Sequence, residues 1–209
     1  MVTKSQDRRK VRLSRALGVA LTPKAARYLE KRPYAPGEHG RTKRKQDSDY
    51  AVRLREKQRL REQYGIREKQ MRNTFNEARR KDGLTGENLV ELLEMRLDSL
   101  VLRSGFARTT AQARQFVVHR HILVDGQIVD RPSFRVKPGQ LIHVKQRSEG
   151  LEPFQVAAAG GHAEVLPPVP GYIEVELDKL HARLVRRPKR AEVPVTAEVQ
   201  LVVEYYAAR

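Results

Sequence analysis

The apolar residues of this chain change their spacing once, near residue 120, and that change restricts the fold more than any other feature. Before it, Leu89, Leu92, Leu93, Leu97, Leu100 and Val101 recur three and four apart, the spacing of one buried helix face. After it, His121–Val124 and Gln127–Asp130 flank Asp125-Gly126, the pair that suits a type I′ hairpin turn. Helix gives way to a small sheet, so the fold class is α+β. Gln140 to Arg147, after a Pro138-Gly139 turn, and Tyr172 to Leu177 alternate as further strands. Residues 150–171 are rich in Ala, Gly and Pro and read as a loop or a poorly packed connection. Val199, Val202, Val203 and Tyr206, after Thr196, fit a closing helix better than a strand.

Upstream of the leucine helix the apolar stripes are thinner. Tyr50, Leu54, Leu60 and Tyr64 predict a surface helix from about Ser48 to Tyr64, with Asp47 or Ser48 as N-cap and Gly65 past its end. A second helix is expected over Arg67 to Lys81, with Met71, Phe75 and Ala78 on one face. Thr109 and Gln112 stand three apart as a capping box for a short helix that turns Ala113, Phe116 and Val117 inward.

Charge decides the partner class. Lys plus Arg total 42 against 25 Asp plus Glu, a net +17, and the excess is uneven. Residues 1–50 carry +9, 51–100 carry +3, 101–150 carry +6 and 151–209 carry −1. A polyanion is the expected partner, because Lys and Arg neutralise phosphates and release condensed counterions. An anionic membrane surface and a merely solubilising tail are the weaker readings. No apolar run is long enough for a membrane span and the first 18 residues lack a signal-peptide core, so a soluble, unsecreted protein is expected. The absence of Cys excludes disulfides, thiolate zinc sites and cysteine nucleophiles, and fits a reducing cytoplasm.

Catalytic signatures are missing. There is no phosphate-binding Gly-x-x-x-x-Gly-Lys, no Gly-x-Gly-x-x-Gly, no His-Glu-x-x-His and no Gly-x-Ser-x-Gly. His119 and His121 have no neighbouring carboxylate cluster and suit packing or phosphate contact better than a metal. Asp98, two residues from Arg96, reads as half of a local ion pair and receives no catalytic role. The strongest constellation is the capped helix with Arg108, Arg114 and Arg120, preceded by Arg103. Planar Arg forks and the backbone donors at Thr109-Thr110 together suit RNA phosphates.

The stretches Leu93–Asp98, Arg103–Thr109, Ala113–Val117 and His121–Gly126 resemble, in order and spacing, the RNA-binding module named after small-subunit ribosomal protein four. That module alone also fits an RNA-modifying enzyme of the pseudouridine synthase type or a free RNA-binding stress factor. The flanks Pro36–Gly40, Glu56–Arg61, Tyr64-Gly65, Glu68–Gln70, Asp130–Phe134 and Val202–Tyr206 instead resemble the bacterial-type 30S ribosomal protein four family over nearly the whole chain. No room remains for a pseudouridine synthase domain, and a stress factor would lack residues 1–90.

The resemblance implies a basic extended N-terminal arm (1–46), a helical domain (47–94) completed by a C-terminal helix at about 195–209, and an RNA-binding module with a small, mainly antiparallel sheet (95–194). It further implies a non-enzymatic, cofactor-free and metal-free primary binder of 16S rRNA that nucleates 30S assembly from the 5′ domain. Contact with ribosomal protein S5 and other 30S proteins, a part in translational accuracy, and a place beside mRNA at its entrance follow from the same likeness. The expected rRNA contacts are Arg8, Arg12, Arg15, Arg32 and His39 in the arm, and Arg53, Lys57, Arg59 and Arg61 in the first long helix. Lys69 and Arg72 in the next helix and Arg103, Arg108, Arg114 and Arg120 in the module complete the set. Arg41, Lys43, Arg44 and Lys45 are the candidates for mRNA. The family's frequent Cys-rich zinc site has no counterpart here, so the arm is expected to be held by RNA alone. Ala16 stands where a second Arg is frequent, and Arg120 where a small residue is usual.

Overall fold

The computed structural model describes residues 4–42 and 47–208. In chain order the elements are helices α1 (Lys4–Leu17), α2 (Pro23–Lys31), α3 (Asp49–Gln63), α4 (Glu68–Arg79), α5 (Thr85–Glu94), α6 (Leu97–Arg103) and α7 (Thr110–Val118), then strands β1 (Ile122–Val124), β2 (Gln127–Ile128) and β3 (Leu141–Val144). Helices α8 (Gln146–Glu149) and α9 (Glu152–Ala158), strands β4 (Ile173–Glu176) and β5 (His181–Leu184), and helix α10 (Val199–Ala207) complete the chain. The α+β class stands. Met1–Met71 with Val195–Arg209 make one compact unit, and Arg72–Pro194 make the other.

In the first unit α10 packs along α3. Leu60 and Val202 are fully buried, Tyr64, Tyr205 and Tyr206 nearly so, and the Tyr50 and Tyr205 rings lie 5.9 Å apart. The segment expected to be extended, and ordered by RNA alone, instead carries α1 and α2. The Thr22 hydroxyl accepts from Ala25 N at 3.2 Å to cap α2, and Pro23 pre-sets its first turn. Leu17, Ser14 and Ala25 are buried, Arg59 donates to the Leu17 carbonyl at 2.6 Å, and Lys10 pairs with Glu62 at 2.9 Å. A few small apolar residues with polar clamps replace the large core that the segment lacks.

The second unit is built on the leucine face. Leu89, Leu93, Leu97, Leu100 and Val101 are fully buried, but the expected single helix breaks between Glu94 and Leu97. Leu97 N donates to Phe134 O at 2.8 Å and Val136 N to Met95 O at 2.9 Å, so the backbone there bonds across the fold instead of along a helix. The sheet is antiparallel in the order β2-β1-β3-β5-β4. The β1–β2 hairpin turns at Asp125 (φ 48°) and Gly126 (φ 78°), the paired positive φ of a type I′ turn. Strand β5, unforeseen in the sequence, lies between β3 and β4 and buries Ala182 and Leu184.

The loop expected over residues 150–171 is present after Ala158, but its first part forms α9. Pro153 sits in the first turn of α9, and Phe154 on that helix is fully buried with its ring 4.4 Å from Phe116 of α7. The α9 segment is thus bound to the module core by an aromatic contact.

One polar triad holds α5, α6 and the segment before β4 together. Glu94, with no exposed surface, accepts from Arg103 Nε at 3.0 Å and Nη2 at 2.7 Å, and from the buried Tyr172 hydroxyl at 2.8 Å. Glu94→Gln removes the buried carboxylate charge that faces the Arg103 fork and is expected to cost about 3 kcal/mol. Tyr172→Phe, which removes one neutral donor, is expected to cost about 1–2 kcal/mol. Urea midpoints at unchanged slope are the measurement. Equal losses for the two variants would show that the carboxylate charge is not the centre of the triad.

Candidate RNA interface

The geometry of α7 makes it the best-defined candidate surface. Thr109 Oγ1 accepts from Gln112 N at 3.2 Å, the first half of the expected capping box. The reciprocal bond is shifted by one residue, since Gln112 Oε1 accepts from Arg108 N at 2.8 Å. Ala113, Phe116 and Val117 face the core as expected. Arg108 is exposed and Arg114 half-buried, and neither guanidinium pairs with a carboxylate among the described residues.

Arg120 is exposed and pairs with Asp130 at 3.1 Å. It sits at φ 62°, the left-handed position past the helix end that favours a residue without a side chain. His119 is exposed, whereas His121 bonds the Ser148 hydroxyl at 2.9 Å and turns its edge to Phe154. Burial, then the charges of His119 and Lys145, hold the His121 imidazole below its ordinary pKa, which favours its neutral form. Asp125 pins the hairpin to β3 by accepting from Leu141 N at 2.9 Å and Gln140 Nε2 at 2.7 Å, and these bonds lower its pKa.

Arg103 does not join this surface, because its fork is spent on Glu94. Arg96 and Asp98 form the local pair read from the sequence, with a two-pronged contact of 3.0 and 2.7 Å. Burial raises the Asp98 carboxyl despite that pull.

In the first unit the basic residues divide into two groups. Arg53 pairs with Glu204 at 2.9 Å, Arg59 with Glu56, and Arg61 with Glu62 at 2.7 Å. The Lys57 side chain is 6% exposed, 2.8 Å from Glu68 and 4.8 Å from the centre of the Tyr205 ring. Burial alone would raise the Glu68 carboxyl, but bonds from Lys57 and Tyr206 and the charges of Lys57 and Arg61 bring it below its ordinary value. These four cations of α3 are each engaged by a carboxylate within the first unit.

Arg8, Arg12, Arg32, His39 and Arg41 are exposed, as are Lys69 and Arg72 on α4. Arg15 is half-buried and donates to Tyr34 O at 3.1 Å and Ala35 O at 3.3 Å. Lys43, Arg44 and Lys45 lie outside the described residues. Sequence reasoning missed the exposed face of α2, where Lys24, Arg27 and Lys31 surround Tyr28, itself 46% exposed. Thr22-Pro23 was the available signal, an N-cap followed by Pro at the first helical position. No cluster of three or more His, Cys, Asp or Glu suited to a metal occurs among the described residues, and no described helix is long and apolar enough to cross a membrane.

Residues 6–94 match the family described as ribosomal protein S4/S9 N-terminal domain, and residues 95–142 match the S4 domain. The chain is 82% identical over 209 residues to small ribosomal subunit protein uS4 of Clavibacter michiganensis subsp. michiganensis, covering all of both chains. It is 82% identical over 205 residues to uS4 of Leifsonia xyli subsp. xyli, covering 98% of this chain and 99% of the relative. The uS4 protein of Tropheryma whipplei strain Twist is 72% identical over 200 residues, 96% of this chain and 98% of its own. Identity of this order over nearly the whole length of each chain, on a chain whose residues 6–142 match the two family segments, establishes that it belongs to the uS4 family.

Proposed function

We propose that this protein is a non-enzymatic structural component of the small ribosomal subunit, a primary 16S rRNA binder that nucleates 30S assembly in the cytoplasm. The observation that carries the reading is the division of its cations. Those packed between helices are matched by carboxylates or carbonyls, while Arg8, Arg12, Arg32, Arg108 and others stay exposed. A-form RNA hides its major-groove edges, so phosphates, 2′-hydroxyls and junction shape are what such a surface reads. Contacts with ribosomal protein S5, with other 30S proteins and with mRNA at its entrance, and an influence on accuracy, belong to the same reading. They rest on family likeness.

Binding of a 16S 5′-domain transcript should be strongly salt-dependent. If about 6 to 10 phosphates are neutralised, affinity falls by about 10³ to 10⁵ between 50 and 200 mM salt. A nearly flat dependence, measured by filter binding, overturns the electrostatic mechanism. Arg108→Ala and Arg114→Ala should each weaken the complex by about 1–3 kcal/mol while the circular dichroism melt stays in place. A lowered melt would make the residue structural.

For the mRNA role, changing Arg41, Lys43, Arg44 and Lys45 together to Ala should slow translation of a hairpin-containing message more than an unstructured one. Equal slowing on both removes that part of the reading.

A further inference from the structure

The Tyr34 ring is approached by two guanidiniums, with Arg15 Cζ 5.0 Å and Arg41 Cζ 4.9 Å from its centre. Two like charges at one ring repel each other, so the contact needs both the negative face of the ring and a backbone that brings the residues together. The backbone provides this through a sharp return. Gly37 has φ 104°, Gly40 N donates to Gly37 O at 3.2 Å, and a side chain at Gly40 would lie 2.0 Å from the Ala35 carbonyl oxygen. Only glycine lets the chain close there and place Arg41 back over the ring of Tyr34.

The two arginines have different surroundings. Arg15 spends Nε on Tyr34 O and Nη2 on Ala35 O, so it braces the turn. Arg41 is exposed, and no described residue accepts a hydrogen bond or ion pair from it. A guanidinium held over a ring by its central carbon still has N–H donors at its rim for another acceptor, and the contact removes part of the rotamer freedom that binding would otherwise cost. We propose that Tyr34 is a positioning residue that holds Arg41 as a preformed fork for an RNA phosphodiester, with Arg15 and the Gly37–Gly40 return as its support. The inference rests on the RNA-binding reading above and adds to it a side chain that need not touch RNA itself.

The test is a double-mutant cycle on the full-length protein with two probes, a 16S 5′-domain transcript and a 30-nucleotide oligouridylate. Tyr34→Leu should weaken one or both probes about three- to tenfold, and Tyr34→Phe, which keeps the ring, should stay within about twofold of wild type. In an Arg41→Ala background, Tyr34→Leu should have no further effect, and the salt slope of each single variant should fall by a similar fraction of one phosphate. Gly40→Ala should reproduce the loss from the backbone side. The probe that shows the coupling identifies the source of the phosphate, folded rRNA or single strand. Additive losses on both probes, or a Phe variant as weak as the Leu variant, overturn the proposal. If wild-type protein bound neither probe in a salt-dependent way, the RNA-binding reading itself would fail.

Discussion

Lys57 lies between the Tyr205 ring and the Glu68 carboxylate with 6% of its side chain exposed, and much of the first unit is organised around that pair. Glu68 also accepts from Tyr206 at 2.8 Å and from Arg61 at 3.4 Å, so one carboxylate joins α3, α4 and α10. A buried ammonium without a partner is costly, and breaking such a pair destabilises more than the pair itself contributes. Arg53, Arg59 and Arg61 are engaged nearby on the same principle, each with its own carboxylate. Internal neutralisation on α3 therefore distinguishes cations already matched by a carboxylate from those left exposed without one among the described residues, such as Arg12 and Arg108.

This division also explains which parts of the site were legible in the sequence. Counting Lys and Arg per segment locates an excess of charge, but it cannot tell a solvated fork from a buried one. Lys57 and Arg103 look the same in the sequence as Arg12 and Arg108. Their partners, Glu68 and Glu94, are 11 and 9 residues away, beyond the three- or four-residue spacing of helical pairs. Short-range chemistry is more readable. The Asp125-Gly126 turn, the Thr109 cap and the Arg96–Asp98 pair all depend on residues a few positions apart, and all three are present.

The fold shows the same limit. The leucine face was legible because its period is regular, but its break after Glu94 was not, since the competing bonds come from residues 134 and 136. Strand β5 escaped because four residues, two of them His181 and Arg183, give too little alternation to separate a strand from a loop. The α9 segment escaped because it spans only seven residues between Gly150 and Gly160-Gly161, while the decisive contact is one buried phenylalanine. In each case a tertiary partner overrode a weak local preference.

The arm carries this argument furthest. Its +9 over fifty residues implies a chain that repels itself, and yet α1 and α2 form within it. The explanation lies in where the charges are placed. Arg8, Arg12, Lys24, Arg27 and Lys31 occupy outward positions, while Ser14, Leu17 and Ala25 are the residues turned inward. Repulsion between exposed side chains is weakened by water and salt, so a small inner stripe with a few clamps suffices to hold helices whose outer faces remain strongly basic. Such a segment presents its cations already arranged on helical faces. A polyanion that meets it need not supply the ordering entropy that a disordered tail of the same charge would require.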